Sequence, residues 1–375
     1  MDNSIDPEFA VLSFFEGEIV NMITDEHGVS KKHLNWVDNA RAFAVLAVVI
    51  CHAVELNYYG VVMGTKTEDN FLLWLFQTCL YVLGRTGVPF FLMISGTLLL
   101  SREHSPTEFY RKSLLPLVIT SELWIVFYGI FDVVVNRNEF SAVKLIKQML
   151  FIDGTCFNHT WYLPLIIGLY VAAPFVGAAV KKYSLRSIAL PLLVIFCIRF
   201  VPSSLRSTVD IAFLGGQYGI YFVLGYYIGN DGKNPLRKIK TVILILAALC
   251  FFAADIVCQR ILYDTGRVST YFVWYGSAFI LGISICLFEC FRRFDFGNGF
   301  IRAVAKCSFG IYLLHNVFLV AFNRILSNEQ WFLNSNEAVK FVIRFAICFI
   351  PSFAIVFVFS LIPFRRIKKA IFLLK

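Results

Sequence analysis

Ten apolar runs divide the chain between residues 37 and 362, at 37–57, 71–100, 114–135, 160–179, 188–202, 212–229, 241–258, 271–290, 304–326 and 338–362. A helix of about 20 residues crosses the hydrocarbon core of a bilayer. Lipid offers the backbone no hydrogen bonds, so a segment placed there must satisfy its own N–H and C=O groups. The runs therefore predict an all-α, multi-pass transmembrane helical bundle of about ten spans. Composition agrees with that reading. Hydrophobic residues make up 58% of the chain and charged residues 16%, against about 45–50% and about 25% in soluble domains. A soluble globular protein is excluded, and so is a disordered one.

Loop charge sets the orientation of such a bundle. Loops on the side of the N-terminus carry 20 Lys and Arg, and the opposite loops carry 7. The asymmetry predicts both termini in the cytoplasm and residues 136–159 outside. Cys156 should then react with an impermeant thiol reagent on intact cells, and labelling only after permeabilisation would invert the topology. The net charge of +9 is thus read as contact with membrane lipid, with no nucleic acid as partner. The ten cysteines include no CxxC pair, so neither a disulfide framework nor a zinc site is expected. Residues 1–30 hold seven acidic residues and no Lys or Arg, which rules out a secretory signal. This acidic N-terminal tail reads as an interfacial helix around Phe14–Ile23, a mobile tail or a tag remnant.

The first run carries the most polar chemistry. Asp38-Asn39-Ala40-Arg41 opens it, and Cys51-His52-Ala53-Val54-Glu55 lies near its end. On a helix, Arg41 and His52 differ by only about 20° in azimuth and about 16 Å in height. Asp38 can partner Arg41, and Glu55 can partner His52, each three residues away. A charge at the bilayer centre costs at least about 2.5–3.5 kcal/mol, so this stripe must face protein or water. A second histidine, His315, closes the ninth-run sequence Ser308-Phe309-Gly310-Ile311-Tyr312-Leu313-Leu314-His315. It falls about 16 Å from the start of its span, close to the roughly 20 Å of His52. One shared cavity is expected, although either histidine alone could be a packing residue.

In the second run, Gly84-Arg85-Thr86-Gly87-Val88-Pro89-Phe90 predicts a broken helix. Freed backbone at membrane depth survives where it is buried in protein or lines a wet cavity, which puts Arg85 at a site. Glu122, Arg199, Asp255 and Arg344 are further intramembrane ionisable residues, and Glu122 with Arg199 reads best as a structural ion pair. His159-Thr160-Trp161-Tyr162 opens the fourth run, and Tyr271, Trp274 and Tyr275 open the eighth. Most such aromatics are interfacial belt residues, but a sugar can also stack on them. No Walker loop, GxSxG, HExxH or EF-hand pattern occurs. No metal and no permanently bound cofactor are therefore expected.

Three patches carry a resemblance to a known family. They are Trp36-Val37-Asp38-Asn39-Ala40-Arg41 with the Arg41-x10-His52 spacing, Gly87-Val88-Pro89-Phe90-Phe91-Leu92-Met93-Ile94-Ser95-Gly96, and Phe309-Gly310-Ile311-Tyr312-Leu313-Leu314-His315. With His159-Thr160-Trp161-Tyr162 between them, the chain over 36–362 resembles the integral-membrane acyltransferase-3 family. The resemblance implies one membrane-embedded acyltransferase-like domain over 31–375, in a bacterial cytoplasmic membrane. It implies acyl-CoA, as acetyl-CoA, for cytoplasmic co-substrate. The acceptor would be a hydroxyl of a glycan or lipid-linked sugar.

On this resemblance Arg41 and His52 are the key pair. His52 is the catalytic residue, with Glu55 fixing its tautomer. Arg41, Arg85, Arg111 and Lys112 would meet the donor's phosphates. Ser95, His159, Trp161, Tyr162, Trp274 and His315 would line the cavity or hold the acceptor. The family often has Arg-x-x-Arg after its second span, whereas here Leu114 and Leu115 follow Arg111 and Lys112 at that spacing. General-base and covalent acyl-histidine routes both remain open. A second reading is a small-molecule transporter, since the chain also resembles the membrane part of serine racemases. Buried charges and a broken helix suit a transporter, and the lack of an internal repeat does not. A scaffold within an envelope assembly complex is a third reading.

Overall fold

The computed structural model describes residues 34–102, 105–152, 157–198, 216–267 and 270–374. Residues 1–30, Cys156 and Arg199, the expected partner of Glu122, lie outside the described residues. Among the described residues every regular element is helical. In order these are α1 (Asn35–Val62), α2 (Phe71–Arg85), α3 (Gly87–Leu99), α4 (Pro106–Phe109), α5 (Leu115–Asn136) and α6 (Ala142–Met149). Then come α7 (Tyr162–Lys182), α8 (Leu185–Ile198), α9 (Gln217–Gly229), α10 (Thr241–Asp264), α11 (Ala278–Arg293) and α12 (Gly299–Leu326). The chain ends with α13 (Gln330–Leu333), α14 (Glu337–Leu361) and α15 (Arg365–Phe372). A π-helical turn, Tyr110–Leu114, joins α4 to α5, and a 3-10 turn, Asn158–Trp161, leads into α7.

Among the described residues, seven helical stretches are long and apolar enough to cross a membrane. They are α1, α2 continued by α3, α4 continued through the π turn by α5, the turn at His159 continued by α7, and then α10, α12 and α14. The remaining three of the ten runs form the shorter helices α8, α9 and α11. In the eighth run the difference has a visible cause. Ser277 accepts a hydrogen bond from the Phe279 N–H (3.1 Å) and starts α11 there, so Tyr271 to Gly276 stay outside the helix. That irregular segment carries Trp274 and Tyr275 into the protein.

α1 is the hub of the bundle, in contact with α2, α3, α11, α12 and α14. Its sequence suits that place. Ala40, Ala42, Ala44, Ala47 and Ala53 are all buried, and small side chains let neighbouring helices approach closely. α1 and α12 run parallel. The Asn39 amide near the start of α1 donates to the carbonyls of Phe294 (3.3 Å) and Phe296 (3.0 Å), just before α12. The end where these two helices start is called proximal below, and the other end distal.

The expected break in the second run is a single-residue interruption. Thr86, between α2 and α3, keeps right-handed helical angles (φ −73°, ψ −16°). Its hydroxyl donates to the Leu83 carbonyl (2.6 Å), and its own carbonyl accepts from the Phe90 N–H (3.0 Å). Pro89 has no N–H to offer the Arg85 carbonyl, which explains why the regular ladder lapses here. The glycines on either side serve a different end. A Cβ on Gly84 would fall 2.7 Å from the Cys51 Cβ, and one on Gly87 would fall 2.7 Å from the Ala44 carbonyl oxygen. Both positions are bare so that α2 and α3 can lie directly against α1, one turn from His52.

At the proximal end, buried Glu289 gathers Arg292 (2.7 Å), Arg293 (2.7 Å) and Asn234 (2.8 Å), which pins the α9–α10 loop to α11. α15 folds back beneath α5, where the Trp124 indole donates to the Ile371 carbonyl (2.7 Å).

Candidate functional site

His52 is anchored on α1 by its neighbour one turn on. Its Nδ1 donates to Glu55 Oε2 (2.8 Å), the i,i+3 geometry expected on one helix face. A carboxylate accepts only, so the proton sits on Nδ1 and Nε2 keeps its lone pair. The other Glu55 oxygen accepts from Arg85 Nη2 (3.0 Å) and from the Tyr81 hydroxyl (3.4 Å). Arg85 also bonds to the Tyr81 hydroxyl and, through Nη1, to the Tyr275 hydroxyl (3.2 Å). Its guanidinium lies over Tyr81 (4.5 Å) and Trp274 (4.7 Å). A planar cation suits such faces. The chain His52–Glu55–Arg85 is thus a neutralised network with aromatic walls, buried at Arg85 and partly exposed at Glu55.

Two further histidines close on His52. Ring centres stand 5.2 Å apart for His52–His315, 5.3 Å for His159–His315 and 6.4 Å for His52–His159. His315 Nδ1 contacts the carbonyls of Tyr312 (2.7 Å) and Ile311 (3.2 Å). Carbonyls only accept, so Nδ1 carries the hydrogen and the buried Nε2, which has no partner, keeps its lone pair. His159 is the reverse. Its Nδ1 accepts from the Asn316 amide (2.8 Å), which assigns the hydrogen to Nε2, also buried without a partner. Tyr312 locks the turn that carries His159, donating to its carbonyl (2.6 Å). The cluster therefore offers two basic nitrogens and one N–H. Such a set can remove a proton from a hydroxyl and stabilise a developing oxyanion. Among the described residues no group of three or more His, Cys, Asp or Glu is arranged to hold a metal ion.

A cavity of about 420 Å³ opens at the distal end beside the histidines, lined by Leu56, Asn136, Asn316, Val320, Asn323 and Arg324. Asn316 belongs to both, since its amide holds His159 and it also borders the cavity. Along α12, Asn316, Val320 and Asn323 recur at helical spacing and lead from the histidines to the bundle's end.

Of the expected site residues, His52, Glu55, Arg85, His159, His315 and Trp274 come together. Trp161 is part of their wall, with its ring 5.6 Å from Tyr275. Tyr162 packs behind it against Tyr312 (5.6 Å). Others lie apart. Arg41 is eleven residues below His52 on α1, about 16 Å along the axis, and half-buried. Ser95 is ten residues beyond Arg85, about 15 Å toward the proximal end. Arg111 and Lys112 are exposed in the π turn, and Lys112 is paired with Glu108 (2.6 Å). The expectation that Arg85 joins these cations meets a different geometry, because its counter-charge is Glu55. Tyr81 and Asn316 were missed as site residues, although Tyr81 is one turn before Arg85 and Asn316 adjoins His315. Arg344 reaches Glu337 on its own helix (3.6 Å).

Seven helices of membrane-crossing length among the described residues, packed around a half-buried histidine–carboxylate pair, point to a multi-pass membrane protein. A model of the acyltransferase domain matches residues 34–361, and the chain belongs to this acyltransferase-3 family. It is also 26% identical over 364 residues to an amino-acid racemase of Enterococcus faecalis, an alignment that covers 89% of this chain and 46% of the relative. The chain thus spans about half the length of that curated relative. No solved structure matches.

Proposed function

We propose that the protein is an O-acyltransferase that moves an acyl group, acetyl in the first instance, from acyl-CoA to a hydroxyl of a cell-envelope glycan. The observation that carries this reading is the imidazole of His52, fixed by Glu55 with Nε2 free, beside the N–H of His159. In the reaction, His52 Nε2 takes the acceptor's hydroxyl proton while that oxygen attacks the thioester carbonyl. His159 Nε2–H faces the oxyanion. The carbon–sulfur bond breaks, and the CoA thiolate leaves with the proton held on His52. His315 lines the cavity as a hydrogen-bond acceptor, and Arg85 positions Glu55.

The donor enters at the proximal end, in the cytoplasm, where Arg41 meets its phosphates together with Arg111 and Lys112. The acceptor enters by the distal cavity, whose three carboxamides suit hydroxyl groups in both hydrogen-bonding senses. The proposed acceptor is a glycan or lipid-linked sugar at a bacterial cytoplasmic membrane, in keeping with the sequence's resemblance to the O-acetyltransferase of enterobacterial common antigen.

Purified protein with labelled acetyl-CoA and envelope glycan is expected to release CoA and label the glycan. Arg41→Ala should weaken CoA binding about tenfold or more while leaving the melting temperature unchanged, and unchanged affinity in a titration would end its donor role. A second reading is a small-molecule transporter, which the buried charges and the interrupted second run suit. Such a protein would leave the donor unconsumed in the same assay.

A further inference from the structure

Buried polar groups occur outside the histidine cluster, in the layer where α10 crosses α2 and the distal part of α1. Asp255 of α10 is 0% exposed, and neither of its carboxylate oxygens has a hydrogen-bond partner. Gln259, one turn further on the same face of α10, is buried with Nε2 unpartnered. Gln77 of α2 is buried with Oε1 unpartnered. The register between the helices is set nearby. Trp74 of α2 packs on Tyr263 (6.1 Å) and lies 5.1 Å under the Arg260 guanidinium. Gln77, three residues deeper on α2, is therefore level with the Asp255–Gln259 turn. Tyr58 of α1 interacts electrostatically with Asp255 and donates its hydroxyl to Thr78 (2.7 Å), whose own hydroxyl goes to the Trp74 carbonyl (2.7 Å).

No protein cation neutralises this carboxylate among the described residues. Arg260, on the same helix, is bonded to Asp264 (2.9 Å). Arg85 of α2 is bonded to Glu55 of α1. On α11 the charged residues are Glu289, Arg292 and Arg293, bonded to one another at the proximal end. The other titratable groups around Asp255 are uncharged in their usual forms: Tyr58, Cys79 and Cys258. A lone carboxylate at membrane depth is expensive and is retained where something offsets its charge. One positive charge suffices, whereas a divalent ion would leave an excess.

We propose that Asp255, with Gln77 and Gln259, forms a buried site for one exchangeable monovalent cation, a proton or a sodium ion, separate from the histidine cluster. The side chains serve either occupant. A proton on one Asp255 oxygen removes the charge and turns that oxygen into a donor for an acceptor such as Gln77 Oε1, which has no partner of its own. A sodium ion takes both carboxylate oxygens and the Gln77 oxygen, and the Gln259 amide can turn its oxygen inward. No step of acyl transfer uses the site, so it stands whether or not that reading does. Its place between α10 and α2 makes the packing of those two helices depend on its occupancy.

The full chain in detergent micelles is tested with dicyclohexylcarbodiimide, which attacks protonated carboxyl groups in apolar surroundings. Mass spectrometry should find Asp255 modified at least tenfold more than the exposed Asp264. The series is repeated in sodium chloride and in choline chloride at equal ionic strength. Protection by sodium, with a sodium-dependent rise in melting temperature, assigns the ion. Labelling indifferent to sodium and falling as the pH rises assigns the proton. Asp255 labelled no more than Asp264, with a melting temperature indifferent to sodium, overturns the proposal. In Asp255→Asn, whose amide needs no cation, the dependence on sodium or pH should vanish, and its persistence would likewise overturn the site. If that variant fails to fold, the wild-type labelling decides alone.

Discussion

A His52→Ala protein is expected to bind acyl-CoA like the wild type and to transfer nothing measurable. Removing a positioned general base costs about 10²–10⁴-fold in rate, and neither neighbouring ring is held by a carboxylate as His52 is. His315 holds its proton on Nδ1 against the Tyr312 carbonyl, and His159 offers an N–H rather than a lone pair. His315→Ala should be milder, within about tenfold, because no step of the proposed transfer moves a proton through that ring. The packing alternative predicts the opposite pattern, with a lower melting temperature and full activity per folded molecule. Transfer rate, CoA affinity and melting temperature measured on both variants separate the two. Near-normal turnover by folded His52→Ala would end the acid–base proposal.

Truncation of Arg85 should produce the second large effect, and it should appear first in stability. Among the described residues Arg85 is the one arginine or lysine bonded to Glu55. Breaking a fully buried pair from one side costs about 3–5 kcal/mol, and the loss here is a fraction of that, because Glu55 is 26% exposed and keeps its bonds to His52 and Tyr81. Arg85→Ala should therefore melt at a lower temperature. Any folded fraction should transfer slowly, since an unanchored Glu55 no longer orients His52. Arg85→Lys keeps the charge but loses the planar fork that spans Glu55 and Tyr275, so it should recover stability more than rate. Had Arg85 gripped donor phosphates instead, Arg85→Ala would lose CoA affinity at an unchanged melting temperature.

The depth of the two span histidines was legible because α1 and α12 are parallel and start level with each other, so counting residues along each gave nearly the same height. The His52–Glu55 bond was legible for the same reason, as a one-turn spacing on one helix. Arg85 was legible as a site residue but not in its role. That role depends on Tyr81, Tyr275 and Trp274, two of which sit on a segment that periodicity extends into a span. The segment leaves the helical path because Ser277 caps α11, a local hydrogen bond that hydropathy does not register. The glycines of the second run were read as helix breakers. Their actual work is contact with another helix, and no single-chain pattern tells the two apart. The Asn316–His159 bond joins residues 157 positions apart, and nothing in either neighbourhood announces it.

The three histidine rings come from positions 52, 159 and 315, on α1, the turn before α7, and α12. That spread governs when the site can exist. A nascent chain entering the membrane from its N-terminus places His52 early and His159 midway. It holds no complete cluster until α12 has followed and settled alongside α1. Every shorter product of interrupted synthesis therefore lacks the complete cluster, however well its helices have inserted. The three-ring arrangement is completed only by the last long stretches of the polypeptide.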